Sequence, residues 1–212
     1  MATQTKSLDP PFPKEPTQAR SRKALQRIYS ATNQLLETKA FDQITVAEIA
    51  NTASVAVGSI YQRFKTKDEL LWVMYAAYIR EANDQVNKLA AAPSTPDLEG
   101  RIEDICIVVN DLFRDHKGIV RSLLLKHRQD NSSVPSEYLN RIEHVNTKFI
   151  NYLIYDSATK PDKSKMQIAL SLVLACYRER ILFGDFSGTD QRKAKDKAFR
   201  QYIWKAVAGI LQ

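Results

Sequence analysis

The chain has 212 residues, 44% of them hydrophobic and 26% charged, with a formal net charge of +7 and a pI near 9.3. That length buries a good core and fits one small domain beside one medium one. The apolar and charged fractions exclude fibrous and disordered classes, and the longest apolar run, 168–176, is too short to span a bilayer. Six glycines are few, and the long runs of Leu, Ala, Glu, Lys and Gln beside them point to an all-α fold. Residues 1–16 carry four prolines with Lys6, Asp9, Lys14 and Glu15 and no apolar centre. They read as a disordered tail rather than a signal peptide, and the expected location is cytoplasmic.

A first helix is expected over about 17–38. At about 100° per residue, Leu25, Ile28, Tyr29, Thr32, Leu35 and Leu36 share one stripe, with Arg20, Lys23 and Arg27 opposite. Those cations form either a solvated face or a set of phosphate contacts by Arg20, Arg22 or Lys23. Thr45 and Glu48 have the spacing of a capping box, and Thr66 and Glu69 repeat it. Between these starts, Val46, Ile49 and Ala50 lie at helical spacing, as do Val57, Ile60, Tyr61 and Phe64. Two short helices, 46–52 and 56–63, separated by Ala53-Ser54-Val55, suit a helix-turn-helix over about 45–64. In the second of them the wheel places Ile60, Tyr61 and Phe64 inward, and Gly58, Ser59, Gln62 and Arg63 outward. Gln62 has the shape to read an adenine edge, and Arg63 to hold a phosphate or a guanine. The Lys67 backbone N–H stands at the next helix start, where anions are favoured. From Thr17 to Lys67, Arg20, Arg22, Lys23, Arg27, Lys39, Arg63, Lys65 and Lys67 face only Glu37, Asp42 and Glu48, so most of the positive excess lies here.

At these residues the chain resembles the TetR family of bacterial transcriptional regulators. The resemblance covers residues 17 to 75 and rests on Ala40-Phe41, Thr45-Val46-Ala47-Glu48-Ile49-Ala50, Ser54-Val55-Ala56, Gly58-Ser59-Ile60-Tyr61-Gln62-Arg63-Phe64 and Lys67-Asp68-Glu69-Leu70. Three positions depart from the family pattern: Ala40 and Ser54 replace glycines, and Ala56 replaces the serine that caps the recognition helix. The resemblance implies double-stranded DNA as partner, in the form of a roughly palindromic operator. It implies a DNA face of Arg20, Arg22, Lys23, Thr45, Val57, Gly58, Ser59, Tyr61, Gln62, Arg63, Lys65 and Lys67. Gly58 would let the backbone approach DNA, the Tyr61 hydroxyl would bind a phosphate, and Val57 is either packed inward or aimed at a thymine methyl.

A fourth helix is expected from Lys67 to about 92, ended by Pro93 and Pro96, and further helices over about 97–115, 118–130, 135–157, 162–183 and 190–211. The organisation expected is therefore a tail (1–16), an N-terminal three-helix helix-turn-helix domain (17–66) and a C-terminal helical effector-binding and dimerisation domain (67–212). Met166, Leu170, Val173, Ile181, Tyr202, Ile203, Trp204, Val207 and Ile210 offer more apolar surface than one core needs. Composition and resemblance agree on a homodimer through the last two helices.

Trp72, Phe113, Phe149 and Tyr152 are candidates for an apolar effector cavity, with His127 or Arg178 as polar anchor and a small hydrophobic or aromatic molecule as ligand. The alternative is that these side chains simply pack together. Glu179 between Arg178 and Arg180 suits an interhelical or intersubunit ion pair. Cys106 and Cys176 read as buried hydrophobes in a reducing compartment, a redox pair being the alternative. No phosphate loop, nucleophile signature or paired-Cys site appears, and His116, His127 and His144 lack His or Cys partners one turn away. No cofactor, metal or catalytic residue is therefore expected, and no membrane association. A DNA-binding regulator, most simply a repressor released by an effector, leads. A nucleoid-architecture or cell-division factor of the same fold is the alternative, and a helical-bundle enzyme stands third.

Overall fold

The computed structural model describes residues 19–91, 97–129, 136–154, 162–182 and 196–211. The expected tail, the expected outer helix ends beyond these bounds and the turn containing Pro93 and Pro96 lie outside the described residues. Within them the chain forms nine α-helices and one short 3₁₀ turn (Phe41–Gln43), and no strand. The helices are α1 (Ala19–Leu36), α2 (Val46–Thr52), α3 (Val57–Tyr61), α4 (Lys67–Ala91), α5 (Leu98–Asp115), α6 (Lys117–Gln129), α7 (Ser136–Ile154), α8 (Lys163–Leu182) and α9 (Asp196–Leu211). They gather into two compact units, residues 1–75 and 76–212, with α4 starting in the first and ending in the second. No described helix is long and apolar enough to cross a membrane.

In the first unit the α1 stripe is buried as its spacing requires. Ile28, Thr32 and Leu36 are inside, while Arg20, Lys23 and Arg27 are exposed. The Thr32 hydroxyl donates to the Ile28 carbonyl at 2.8 Å, so this polar residue is satisfied within its own helix. α2 opens on the complete capping box: the Thr45 hydroxyl accepts from the Glu48 N–H at 3.1 Å, and the Glu48 carboxylate accepts from the Thr45 N–H at 2.8 Å. The Lys39 ammonium also bonds Glu48, and with the Thr45 bonds it holds that carboxyl down at about 2. The stabilisation from this depressed carboxyl is fully present above its ordinary range and is lost only as pH falls toward 2. The second box is rearranged. Thr66 Oγ1 accepts from the Glu69 N–H at 3.0 Å, but the Glu69 carboxylate reaches past Thr66 to the Lys65 N–H at 2.6 Å.

The turn after α2 closes through Val55 N–H to the Ala50 carbonyl at 2.9 Å, with Ser54 at φ 52. This is the left-handed conformation of a helix C-terminus, and a serine there costs on the order of 1 kcal/mol against a glycine. Ala40, the other glycine-like position, is extended (φ −69, ψ 148) and needs no glycine. Ala56 starts α3 without a side-chain cap. Ala56→Ser is therefore expected to stabilise the first unit by about 1 kcal/mol, readable as a higher urea midpoint. An unchanged or lower midpoint would contradict the capping geometry.

In the second unit α8 packs against α5, α6, α7 and α9, which explains why apolar residues occur all round it. Met166, Leu170 and Val173 of α8, with Ile203 and Val207 of α9, are buried inside the protomer. Much of the apparent apolar surplus is thus consumed by this unit's own core, and the large hydrophobics that stay exposed on α8 and α9 are Ile168 (55%) and Tyr202 (66%). Polar side chains tie the helices together. Buried Arg101 donates to the Tyr152 carbonyl at 3.2 Å, and the Tyr152 hydroxyl donates to Asp104 at 2.6 Å. Lys148 of α7 donates to Asn83 and Asn87 of α4 at 2.6 and 2.9 Å, and His116 meets Glu81 at 2.9 Å. Of the Arg178-Glu179-Arg180 cluster, Arg180 turns inward and lies 4.3 Å from the centre of the Phe199 ring. Burial pushes the Cys106 thiol up to about 12 and raises Cys176 as well, so both are held as neutral thiols.

Candidate nucleic-acid interface

α3 is only five residues long, and Ile60 and Phe64, one turn apart, anchor it with 2% and 1% exposure. So short a helix has an inward stripe one residue wide. Tyr61, expected inward with Ile60, falls about 100° around the axis from it and is instead 54% exposed. Val57, one turn before Tyr61, is also outward, at 41%. Gly58 and Gln62 are exposed beside them, with Ser59 partly so. The outward face of α3 therefore carries two hydrogen-bonding side chains, one aliphatic group and one aromatic group. At Gly58 an added Cβ would meet nothing within 4 Å. The protein's own packing does not demand glycine there, and the bare backbone faces outward.

Exposed cations lie on α1 (Arg20, Arg22 and Lys23) and after α3 (Lys65). Arg27 donates to the Ser54 carbonyl at 3.4 Å and so touches the strained turn residue. Between α1 and the turn runs an open groove of about 880 Å³ with Arg20, Lys23 and Arg27 on its wall, and a neighbouring one of about 430 Å³ reaches Ser59, Gln62 and Arg63. Two of the expected DNA-binding cations are already engaged inside the protein. Arg63 donates to the Ser59 carbonyl at 2.7 Å and to Ser21 Oγ at 2.8 Å. Lys67 donates to the carbonyls of Phe41, Asp42 and Ile44 at 2.9, 3.3 and 2.9 Å. Ser21 and Arg27 were not singled out from sequence as parts of this site. Their partners lie 42 and 27 residues away, and no local pattern encodes such pairings.

The effector candidates fall on both units. Trp72 lies on the part of α4 in the first unit and is partly buried. In the second unit Phe113, Phe149 and Tyr152 are buried, whereas Arg178 and His127 are partly exposed. The Nδ1 atom of His127 is buried and has no hydrogen-bond partner among the described residues.

Residues 28–72, from the centre of α1 into α4, match the family model of bacterial regulatory proteins of the tetR family. Over these residues the first unit is similar to the DNA-binding region of the TetR family. The same region is 44% identical over 46 residues to an uncharacterized HTH-type transcriptional regulator of Haemophilus influenzae, a match spanning 22% of this chain and 25% of that relative. The chain thus aligns with about a quarter of that curated relative's length. Solved structures extend the likeness in fold. A transcriptional regulator from Aquifex aeolicus superposes with a TM-score of 0.64 at 17% identity, covering 88% of this chain and 99% of its own. A putative tetR-family regulator from Mesorhizobium loti gives 0.65 at 13% identity, covering 92% and 98%. At those identities the likeness is one of architecture: a TetR-family helix-turn-helix unit followed by a helical second domain.

Proposed function

We propose that this TetR-family protein is a sequence-specific regulator of transcription that binds double-stranded DNA as a homodimer, and that it acts as a repressor released by a small hydrophobic or aromatic effector. The observation that carries the reading is the outward face of α3, with Val57, Gly58, Ser59, Tyr61 and Gln62 presented together and exposed cations on α1 and after α3. Gln62 and Ser59 supply hydrogen bonds to base edges, Val57 an apolar contact to a thymine methyl, and the Tyr61 hydroxyl a phosphate bond. Arg20 lines a groove with Ser59 and Gln62, and it would meet the DNA backbone together with the exposed Arg22, Lys23, Lys65 and Thr45.

A dimer places two such helices about one turn of DNA apart, roughly 34–36 Å. Exposed Ile168 and Tyr202, with the small exposed residues Ala206 and Gly209 on α9, favour α8 and α9 as the paired surface. An effector seated among the aromatic residues of the second unit, with His127 Nδ1 as polar anchor, would shift α4 and disfavour the DNA-bound spacing. Such a ligand should raise the melting temperature and weaken DNA binding by linked factors, because coupling between two sites is reciprocal.

The test is to incubate the purified protein with sheared genomic DNA and sequence what it retains. A few promoter-proximal fragments sharing an inverted repeat are expected. Many scattered fragments would favour a nucleoid-architecture role, and no retained fragment would overturn the DNA reading.

A further inference from the structure

We infer that Arg63 and Lys67 are positioning residues that set the recognition helix, and that of the three cations after its start only Lys65 meets a DNA phosphate. The inference rests on the DNA-binding function proposed above. A lysine ammonium has three N–H donors, and three carbonyls accept from Lys67, those of Phe41, Asp42 and Ile44. These carbonyls line the 3₁₀ turn immediately before Thr45, and that of Phe41 also accepts from the Ile44 N–H at 3.1 Å. The same ammonium lies 4.7 Å from the centre of the buried Phe41 ring. A phosphate would have to strip bonds already made in order to gain one.

Arg63 is held in a comparable way from the other side. Its guanidinium bridges the Ser59 carbonyl of α3 and the Ser21 hydroxyl of α1, and its Nε is buried. The span from Arg63 to Lys67 is therefore fixed to α1 at one end and to the start of α2 at the other, with buried Phe64 between them. Lys65 differs. Its backbone N–H is taken by Glu69, but its side chain stands in solvent. The three cations, alike in sequence, thus divide into two braces and one solvent-exposed charge.

The test uses the full-length chain and the duplex that the wild type selects from a random-sequence pool. Affinity is measured across a salt series, well below the melting temperature, for Arg63→Gln, Lys65→Gln and Lys67→Gln. Removing one cation from a phosphate reduces the log–log salt slope by about 0.9. Lys65→Gln is expected to show that reduction for each protomer bound. Arg63→Gln and Lys67→Gln are expected to keep the wild-type slope while lowering affinity about tenfold, the scale of one misplaced base-reading side chain. A reduced slope for either would make it a phosphate ligand and overturn the inference. Wild-type affinity for either would leave it a brace for stability alone and overturn it equally. Should Lys67→Gln not fold, Lys67→Arg keeps the charge but cannot serve three carbonyls with a planar fork. It should bind weakly with the wild-type slope, and wild-type binding by it would refute the brace. A wild type that selects no duplex removes the DNA reading itself, an outcome distinct from all of these.

Discussion

Phe64→Ala is expected to unfold the first unit and abolish duplex binding while leaving the second unit folded. Phe64 is 1% exposed and joins the end of α3 to a core that includes Ile28, Ile49, Ile60 and Leu70. Removing a buried phenyl ring costs about 3–5 kcal/mol. A unit of this size is stable by only several kcal/mol in total, so one such cavity removes most of the margin. The chain has two tryptophans, Trp72 in the first unit and Trp204 in the second. In a Trp204→Phe background, Trp72 emission during urea unfolding reports on the first unit, and in a Trp72→Phe background Trp204 reports on the second. Phe64→Ala should shift the first midpoint strongly and the second little. A first-unit midpoint equal to wild type would mean that Phe64 is not the anchor its burial implies.

The second large effect concerns assembly. Ile168 and Tyr202 are 55% and 66% exposed in the protomer, so glutamates there should leave the monomer folded. In an α8–α9 interface the same glutamates would be buried without partners, at a cost of several kcal/mol each. The double variant Ile168→Glu/Tyr202→Glu should sediment as a monomer at micromolar concentration. Its operator affinity should also fall by about 10²–10⁴, because the two half-sites are then no longer bound by linked subunits. A variant that remains dimeric would place the interface elsewhere, and a monomeric variant with full affinity would separate dimerisation from DNA binding.

How far the sequence was legible depended on how local the determining interactions are. The Thr45–Glu48 cap spans one helical turn, and it marks the start of α2 correctly. The stripe of α1 and its cationic opposite face follow from periodicity alone, because each side chain's direction is set by its own helix. Ser54 and Ala40 both replace glycines of the family pattern, yet only Ser54 takes the left-handed conformation, and nothing local in the sequence separates the two. The direction of Tyr61 was not legible, since a helix of five residues leaves a wheel too little length to define a stripe. Nor was the inward commitment of Lys67, whose acceptors lie 23 to 26 residues upstream. Charge says that a cation wants an acceptor; only the fold says that carbonyls are already waiting. The apolar residues of α8 and α9 carried a similar ambiguity. A core and an interface demand the same side chains, and burial of Met166, Val173 and Val207 decides for the core at those positions.

The central claim is that the outward face of α3 reads DNA sequence, and the most direct measurement is a selection from random duplexes performed with wild type and with Gln62→Ala. Gln62 is exposed on that face, and one good bidentate base contact is worth about 1–3 kcal/mol of discrimination. The wild type should enrich an inverted repeat. Gln62→Ala should enrich the same repeat with the preference relaxed at one symmetry-related position in each half-site and retained elsewhere. Failure of the wild type to enrich any duplex sequence, or an unchanged preference at every position in Gln62→Ala, would contradict the account.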